Sequence, residues 1–381
     1  MRVALVAGEA SGDLLGAGLI KSIRERVPDA KFEGIAGPAM VAAGCECLED
    51  AEVLAVMGLI EPLAEIPKLL RLRRELVKHW HRHPPDVFVG IDAPDFNFGL
   101  EKRLRKAGVR TAHYVSPTVW AWRAGRIKTV RAAVDRLLCI LPFEKAIYDE
   151  RGVDAVFVGH PKADSIPSDI DMDAARQALG LGAGPVVAVL PGSRAGEVSR
   201  LGPLFVAAAA RLAAQDDAIE FVTPAATPTL RHLIEEQVTR AGIVGRFRIT
   251  DGGSIDVMAA ADVVLLASGT AALEAALLCK PTVAAYRVSG LTAFILRLFN
   301  LLKVDTFTLP NLLTDEPLIP EFIQEGATPA ALADAVAGLL ADPGRRAAIA
   351  GHFAKLRQEL ALGADARAAD AVIDLAGRSE A

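Results

Sequence analysis

Short, continuous apolar runs alternate with helical patterns along nearly the whole chain, and this alternation constrains the fold more than any other feature. Runs at Val3–Val6, Phe32–Ile35, Val87–Ile91, Thr111–Val115, Arg136–Cys139 and Ala155–Val158 form one series. A second series comprises Val186–Leu190, Glu220–Val222, Phe247–Ile249, Val263–Leu266 and Thr282–Ala285. Strands that are apolar throughout are buried on both faces, the pattern of parallel sheets sandwiched by helices. Two such series predict an α/β chain of two Rossmann-like domains whose sheets face across a cleft. The break falls in Pro161–Asp173, which is polar, carries prolines and precedes the helical pattern Ala174–Leu179. The expected domains are therefore 1–165 and 166–345. An Ala-rich helical segment, 346–381, is expected to pack back on the first domain or on a partner subunit.

Composition narrows the class. A chain of 381 residues has room for two ordinary domains, and 52% hydrophobic with 5% aromatic residues suits closely packed helices on sheets. A net charge of −5 argues against general attraction to nucleic acid. Cys45, Cys47, Cys139 and Cys279 form no secretory disulfide framework, which favours the cytoplasm. The sequence enters a strand at once, leaving no room for a signal peptide, and no uninterrupted apolar stretch suits a spanning helix.

Candidate chemistry sits where runs end. Behind Val3–Val6, the turn Ala7–Asp13 opens a helix and carries Glu9, Ser11 and Asp13. No Gly-x-Gly-x-x-Gly accompanies it, which weakens a dinucleotide reading. Val186–Leu190 runs into Pro191-Gly192-Ser193-Arg194, placing a guanidinium where it could grip a phosphate. Ser268-Gly269-Thr270 leads from a buried strand into a helix whose N-terminus suits an anion, with Glu274 one turn further in. As structure alone these residues are caps and solvated positions; together they favour a diphosphate. Asp92 and Asp95 follow the run Asp86–Ile91 and make a general base with a positioning partner, or else a helix cap. His113–Arg123 is similarly placed and concentrates hydrogen-bonding and aromatic groups beside Arg123 and Arg126.

Metal binding is not expected. Asp169, Asp171 and Asp173 precede a helix and read as caps; His79, His81 and His83 lack a further ligand at usual spacing; Cys45-Glu46-Cys47 has no second pair. The stretch Met57–Arg82 interleaves Leu63, Ile66, Leu69 and Leu70 with Arg71, Arg74 and other cations. It suits an anionic bilayer or a lipid substrate, or else a core-facing helix with a solvated back. Leu291–Val304 is a second such stretch.

Several segments occur in a fixed order: AGEASGD at Ala7–Asp13, AGPAM at Ala36–Met40, MGLIE at Met57–Glu61, IDAPDFN at Ile91–Asn97 and SPTVWAWR at Ser116–Arg123. LPFEKAIY at Leu141–Tyr148, FVGHP at Phe157–Pro161, LPGSRAGEV at Leu190–Val198, SGTAALE at Ser268–Glu274 and LPNLL at Leu309–Leu313 follow. In this order the chain closely resembles the lipid-A-disaccharide synthases, a family of GT-B glycosyltransferases. It departs at Ala36, where a Gly is usual, and at Ala195, where a second Arg is frequent. The resemblance implies inverting transfer from UDP-2,3-diacylglucosamine to 2,3-diacylglucosamine 1-phosphate, with release of UDP and no cofactor. Asp95 is then the expected base, with Asp92 second. Ser193, Arg194, Ser268, Gly269, Thr270, Glu274, Asn311 and Gln324 are expected to hold the UDP-sugar. Glu9, Ser11, Asp13, His113, Ser116, Trp122 and Arg123 are expected on the acceptor side. Leu63, Ile66, Leu69, Leu70, Arg71 and Arg74 would meet acyl chains and the lipid surface on the cytoplasmic face of the inner membrane, and a homodimer is left open. Competing readings are another UDP-N-acetylglucosamine transferase or 2-epimerase of the GT-B type, and a non-catalytic nucleotide-sugar binder.

Overall fold

The computed structural model describes residues 1–55, 66–117, 124–287 and 306–377. The chain forms two compact units, Met1–Asp164 with Leu360–Ala381, and Ser165–Glu359. In the first, β1 (Arg2–Ala7), β2 (Lys31–Ala36), β3 (Cys45–Asp50), β4 (Val87–Ile91), β5 (Arg110–Tyr114), β6 (Arg136–Cys139) and β7 (Ala155–Phe157) build one sheet. Its order is β3-β2-β1-β4-β5-β6-β7 and every pairing is parallel. The second unit holds β8 (Val186–Leu190), β9 (Glu220–Ala225), β10 (Phe247–Asp251), β11 (Val263–Ala267), β12 (Thr282–Tyr286) and β13 (Glu321–Ile323). These are also parallel, in the order β10-β9-β8-β11-β12-β13.

The apolar runs become all the interior strands together with the edge strands β7 and β10. Two edge strands escape that signal. β3 reads CECLED and buries Cys45 while leaving most of its side chains outward, and its register against β2 shifts at Gly34/Ile35. β13 has three residues and pairs with β12. An edge strand buries less, so charge is tolerated and the apolar pattern fades.

Alternate residues of β1 feed two cores. Val3, Leu5 and Ala7 pack with the helix Ala10–Arg26 and with Ala368, Val372 and Leu375 of the last helix, Ala364–Gly377. Ala4 and Val6 pack on the other face with Trp80, Phe88, Phe96 and Leu100. The returning chain is tied to the departing one: the Asp164 carboxylate accepts from the N–H groups of Gly363 (2.9 Å) and Ala364 (2.7 Å). Residues 346–359 stay in the second unit, where Arg357 donates to the carbonyls of Pro167 (2.9 Å) and Leu277 (3.1 Å).

The basic stretch divides by helical geometry. Ile66–Arg82 is one helix; Leu69, Leu76 and Trp80 share its buried face. Leu69 therefore belongs to the core, which corrects its expected place on the lipid surface. Its neighbour Leu70, turned by about 100°, is 38% exposed, Ile66 is 49% exposed, and Arg71 and Arg74 are exposed. Leu63 and the segment Leu291–Val304 lie outside the described residues. Among the described residues no helix is long and apolar enough to cross a membrane.

Leu69→Ala should cost about 2–5 kcal/mol by leaving a cavity, whereas Leu70→Ser should change stability by less than about 0.5 kcal/mol. Urea unfolding of the two variants checks the division. A pH prediction follows from His160, where the first unit ends. Burial lowers its pKa from the ordinary 6.5 to about 4, and its Nδ1 accepts from the N–H of Lys162 at 3.2 Å. As pH falls below 6.5 the unfolded chain takes up this proton and the folded one does not. The stability held by neutral His160 is thus complete above pH 6.5 and is lost toward pH 4, by on the order of 2–3 kcal/mol. Unfolding free energies at pH 7 and 4.5 should fall less steeply in His160→Gln than in the parent.

Candidate active site

At the carboxyl end of β4 the backbone is held in an unfavourable shape. Asp92 (φ 50°) and Ala93 (φ 42°) are consecutive left-handed residues, and Val115 (φ 79°) follows β5 in the same region. Each costs of order 1–3 kcal/mol and persists only where neighbours fix it. Here Asn97 fixes it: its Nδ2 donates to the Asp92 carbonyl (2.8 Å) and lies within 3.3 Å of the Val6 carbonyl and 3.4 Å of the Ile91 carbonyl. The Asp92 N–H donates to the Tyr114 carbonyl at 2.9 Å. Gly8 is required at the end of β1, because a Cβ there would stand 2.6 Å from the Cβ of Ala93. Glu9 and Ser11, which follow Gly8 in the chain, are both exposed.

Asp95 lies in the first turn of the helix Pro94–Lys106, and its side chain is 67% exposed. Its carboxylate pairs with the Arg126 guanidinium. Its main-chain carbonyl accepts from Arg73 Nη2 at 2.9 Å, and Arg73 lies over the Phe96 ring, 4.9 Å from the centroid. A solvent-reached carboxylate paired with one guanidinium at its surface is placed to act as a proton acceptor.

Other expected acceptor residues turn inward. Asp13 is buried, and its carboxylate accepts from the N–H groups of Gly37 (2.9 Å), Ala39 (2.8 Å) and Met40 (3.0 Å), capping the helix Pro38–Ala42. His113 is fully buried, with Nδ1 2.7 Å from Glu101 Oε1; burial raises the Glu101 pKa against the opposing effect of His113. Gly90 makes room for that pair, since a Cβ there would fall 2.1 Å from Glu101 Oε1. Ser116 is buried with its hydroxyl 3.0 Å from that of Tyr148. These three positions are corrected from acceptor contacts to internal supports, because each side chain is buried and engaged inside the unit: Asp13 with three N–H groups, His113 through Nδ1 with Glu101, and Ser116 with Tyr148. Trp122 and Arg123 lie outside the described residues.

In the second unit a pocket of about 570 Å³ opens at the carboxyl ends of β8 to β12. It straddles β8 and β11, neighbours from which the strand order runs outward in both directions, the usual ligand position in open parallel sheets. Ser193, Arg194, Ser268, Gly269, Thr270 and Glu274 all line it. Two helix N-termini meet there, those of Ala195–Gln215 and Thr270–Leu277. Arg194 is largely exposed, with Nη1 3.5 Å from Glu197 Oε1, while Glu197 Oε2 accepts from the Ser193 N–H at 3.1 Å. The second helix begins at Gly269 without a side-chain cap, so its N-terminal dipole faces the pocket. The lining also includes Glu197, Gly252, Gly253, Ser254 and Tyr286, which the sequence reading passed over. The Gly252-Gly253 doublet directly after β10 is the signal that marks this third loop.

Asn311 and Gln324 are not among the lining residues. Asn311 donates to the Ile319 carbonyl and to Glu321 Oε1, both at 2.8 Å, and accepts from the Leu318 and Ile319 N–H groups at 2.8 Å. Gln324 is buried just after β13 with a left-handed backbone (φ 51°). Elsewhere Asp171 caps the helix Met172–Ala178 by accepting from Asp173 (2.9 Å) and Ala174 (3.1 Å) N–H groups.

A family model described as lipid-A-disaccharide synthetase matches residues 3–372. The chain is 50% identical over 380 residues to the lipid-A-disaccharide synthase of Alkalilimnicola ehrlichii, covering 99% of each. It is 48% identical over 373 residues to the Pseudomonas putida protein of the same name, covering 98% of each. Among solved structures, UDP-GlcNAc 2-epimerase from Neisseria meningitidis bound to UDP-GlcNAc matches with a TM-score of 0.62 at 13% identity, over 98% of this chain and 99% of that one. The glycotransferase of kitacinnamycin matches with a TM-score of 0.60 at 17% identity, over 98% of each. These structures share the fold.

Asn311→Ala should strand a carbonyl and two N–H groups and lower stability by on the order of 3 kcal/mol. In the fraction that stays folded, UDP affinity measured by calorimetry should remain within a factor of about three of the parent, because the side chain is internal.

Proposed function

Because the chain belongs to the lipid-A-disaccharide synthase family, we propose that it transfers a diacylglucosaminyl group from UDP-2,3-diacylglucosamine to 2,3-diacylglucosamine 1-phosphate. It is a GT-B glycosyltransferase of lipid A biosynthesis. The observation that carries the donor half of the proposal is the pocket over β8 and β11, where Arg194 and two helix N-termini converge. A leaving diphosphate gains negative charge in the transition state, and fixed positive dipoles with a guanidinium favour that state over the ground state. In the free protein the Glu197 carboxylate occupies the Ser193 N–H. The uncapped start of Thr270–Leu277 is therefore the first docking point for the diphosphate, and Glu274 serves the ribose.

Asp95 is the proposed base. It takes the proton from the acceptor's 6-hydroxyl as that oxygen attacks the anomeric carbon on the face opposite UDP, and the bond to UDP breaks with inversion. Asn97 positions the turn that carries it. Glu9 and Ser11 line the acceptor side. Exposed Ile66, Leu70, Arg71 and Arg74 on one helix support peripheral attachment to an anionic membrane, proposed to be the cytoplasmic face of the inner membrane.

Asp95→Asn should reduce turnover by about 10²–10⁴-fold and leave UDP affinity unchanged, whereas Arg194→Ala should weaken UDP binding as well as slow transfer. UDP release with both acylated sugars present, followed by mass spectrometry of the product, tests each. Normal turnover in the Asp95 variant shifts the role to Asp92, and unaltered UDP affinity in the Arg194 variant removes that residue from the donor site.

A further inference from the structure

The turn that carries Asp95 is surrounded by more positive charge than Asp95 can balance. Arg126, at the end of the 3-10 turn Ala124–Arg126, pairs with the Asp95 carboxylate. Arg73, from the helix Ile66–Arg82, donates to the Asp95 carbonyl and is held in place by the Phe96 ring. Arg103, one turn further along the Asp95 helix from Gly99, donates to the Gly99 carbonyl, and a Cβ at Gly99 would stand 2.5 Å from Arg73 Nη1. Burial and the Arg103 charge both lower the Arg73 pKa, the mark of cations set closer than they favour. Among the described residues Asp95 is the one acid whose carboxylate pairs with any of these three guanidiniums. The N-terminal dipole of Pro94–Lys106 adds to the positive potential at the same turn.

We propose that Arg126, with Arg73 behind it, binds the phosphate monoester of the acceptor, and that this dianion draws Arg126 off the Asp95 carboxylate. The inference rests on the reading of Asp95 as base and adds a role that reading does not need. A phosphate monoester carries about −1.5 to −2 charge near neutral pH, more than the single charge of a carboxylate, and its oxygens fit the guanidinium fork. In the free enzyme Arg126 occupies Asp95 Oδ1. Once the phosphate takes Arg126, Oδ1 is open to the acceptor hydroxyl. The hydroxyl proton then passes to Asp95, the oxygen bonds to the anomeric carbon, and UDP departs with the electron pair. The Oδ1 atom is thereby freed by the correct acceptor, and water, which brings no phosphate, meets an Oδ1 still paired with Arg126.

The test uses the full chain in neutral-detergent micelles without phospholipid, measuring UDP release with 2,3-diacylglucosamine 1-phosphate and with 2,3-diacylglucosamine. The parent should prefer the phosphorylated acceptor in kcat/KM by on the order of 10²-fold, and Arg126→Ala should cut that preference at least tenfold. Each 1.4 kcal/mol of lost interaction corresponds to tenfold. Added inorganic phosphate should raise turnover of the unphosphorylated acceptor in the parent and not in Arg126→Ala. Should Arg126→Ala fail to fold by thermal melt, Arg126→Lys retains the charge without the fork and should lose part of the preference; an unchanged preference there overturns the proposal. An equal loss on both acceptors overturns it too, leaving Arg126 as a partner of Asp95 alone. A preference that depends on Arg126 only when anionic phospholipid is added assigns the cations to lipid headgroups and also overturns it. Failure of the underlying reading looks different: Asp95→Asn then keeps normal turnover on both acceptors.

Discussion

A parallel sheet must be covered on both faces, and in the first unit this requirement reaches across the entire chain. One face of β1 and β4 is closed by the opening helix together with the very last one, Ala364–Gly377. The Asp164 carboxylate binds the N–H groups that start this last helix, across 200 residues of intervening sequence. Its alanines, Ala364, Ala368, Ala369 and Ala371, let the helix lie close against Ala10–Arg26 and the strands. The helix Ala364–Gly377 thus packs beneath β1, β4 and β5, whose carboxyl ends carry the turns described above. Everything proposed for acceptor chemistry stands on those three strand ends.

The strain at these ends is the clearest sign of function within the backbone. Left-handed Asp92, Ala93 and Val115 lie after adjacent strands, and the side chain of Asn97 gathers the carbonyls that keep the first pair in place. Such conformations survive where surrounding structure over-determines them. The second unit reaches a comparable end with less strain. Small residues and helix starts leave a pocket open, and Glu197 stands in its mouth as an internal anion.

Polar residues next to strand ends proved the hardest to assign from their order alone. Asp13, His113, Ser116 and Asn311 are of the types that bind ligands, and each instead satisfies buried backbone or side-chain groups. The same carboxylates, imidazoles and amides serve both purposes, because an unpaired buried donor is as demanding of a partner as a substrate is. What separates Asp13 from Asp95 is burial, decided by the short helix Pro38–Ala42 that Asp13 caps. Leu69 and Leu70 differ for the same reason, one residue of helical turn placing the first in the buried core and the second in solvent.

Local periodicity was enough for the class of fold. Apolar runs between helical patterns determine parallel sheets, and turns such as Ser193-Arg194 and Ser268-Gly269-Thr270 mark the rim of a pocket because a strand end, small residues and a helix start are all encoded within a few positions. The family resemblance was likewise legible from motifs in order. The tertiary structure alone decided the edge strands β3 and β13, the division of the C-terminal helices between the two units, the inward turn of Asp13 and His113, and the gathering of Arg73, Arg103 and Arg126 around Asp95. These depend on contacts between residues far apart in the chain. Burial and charge balance are set by such neighbours, and no run of adjacent residues records who they will be.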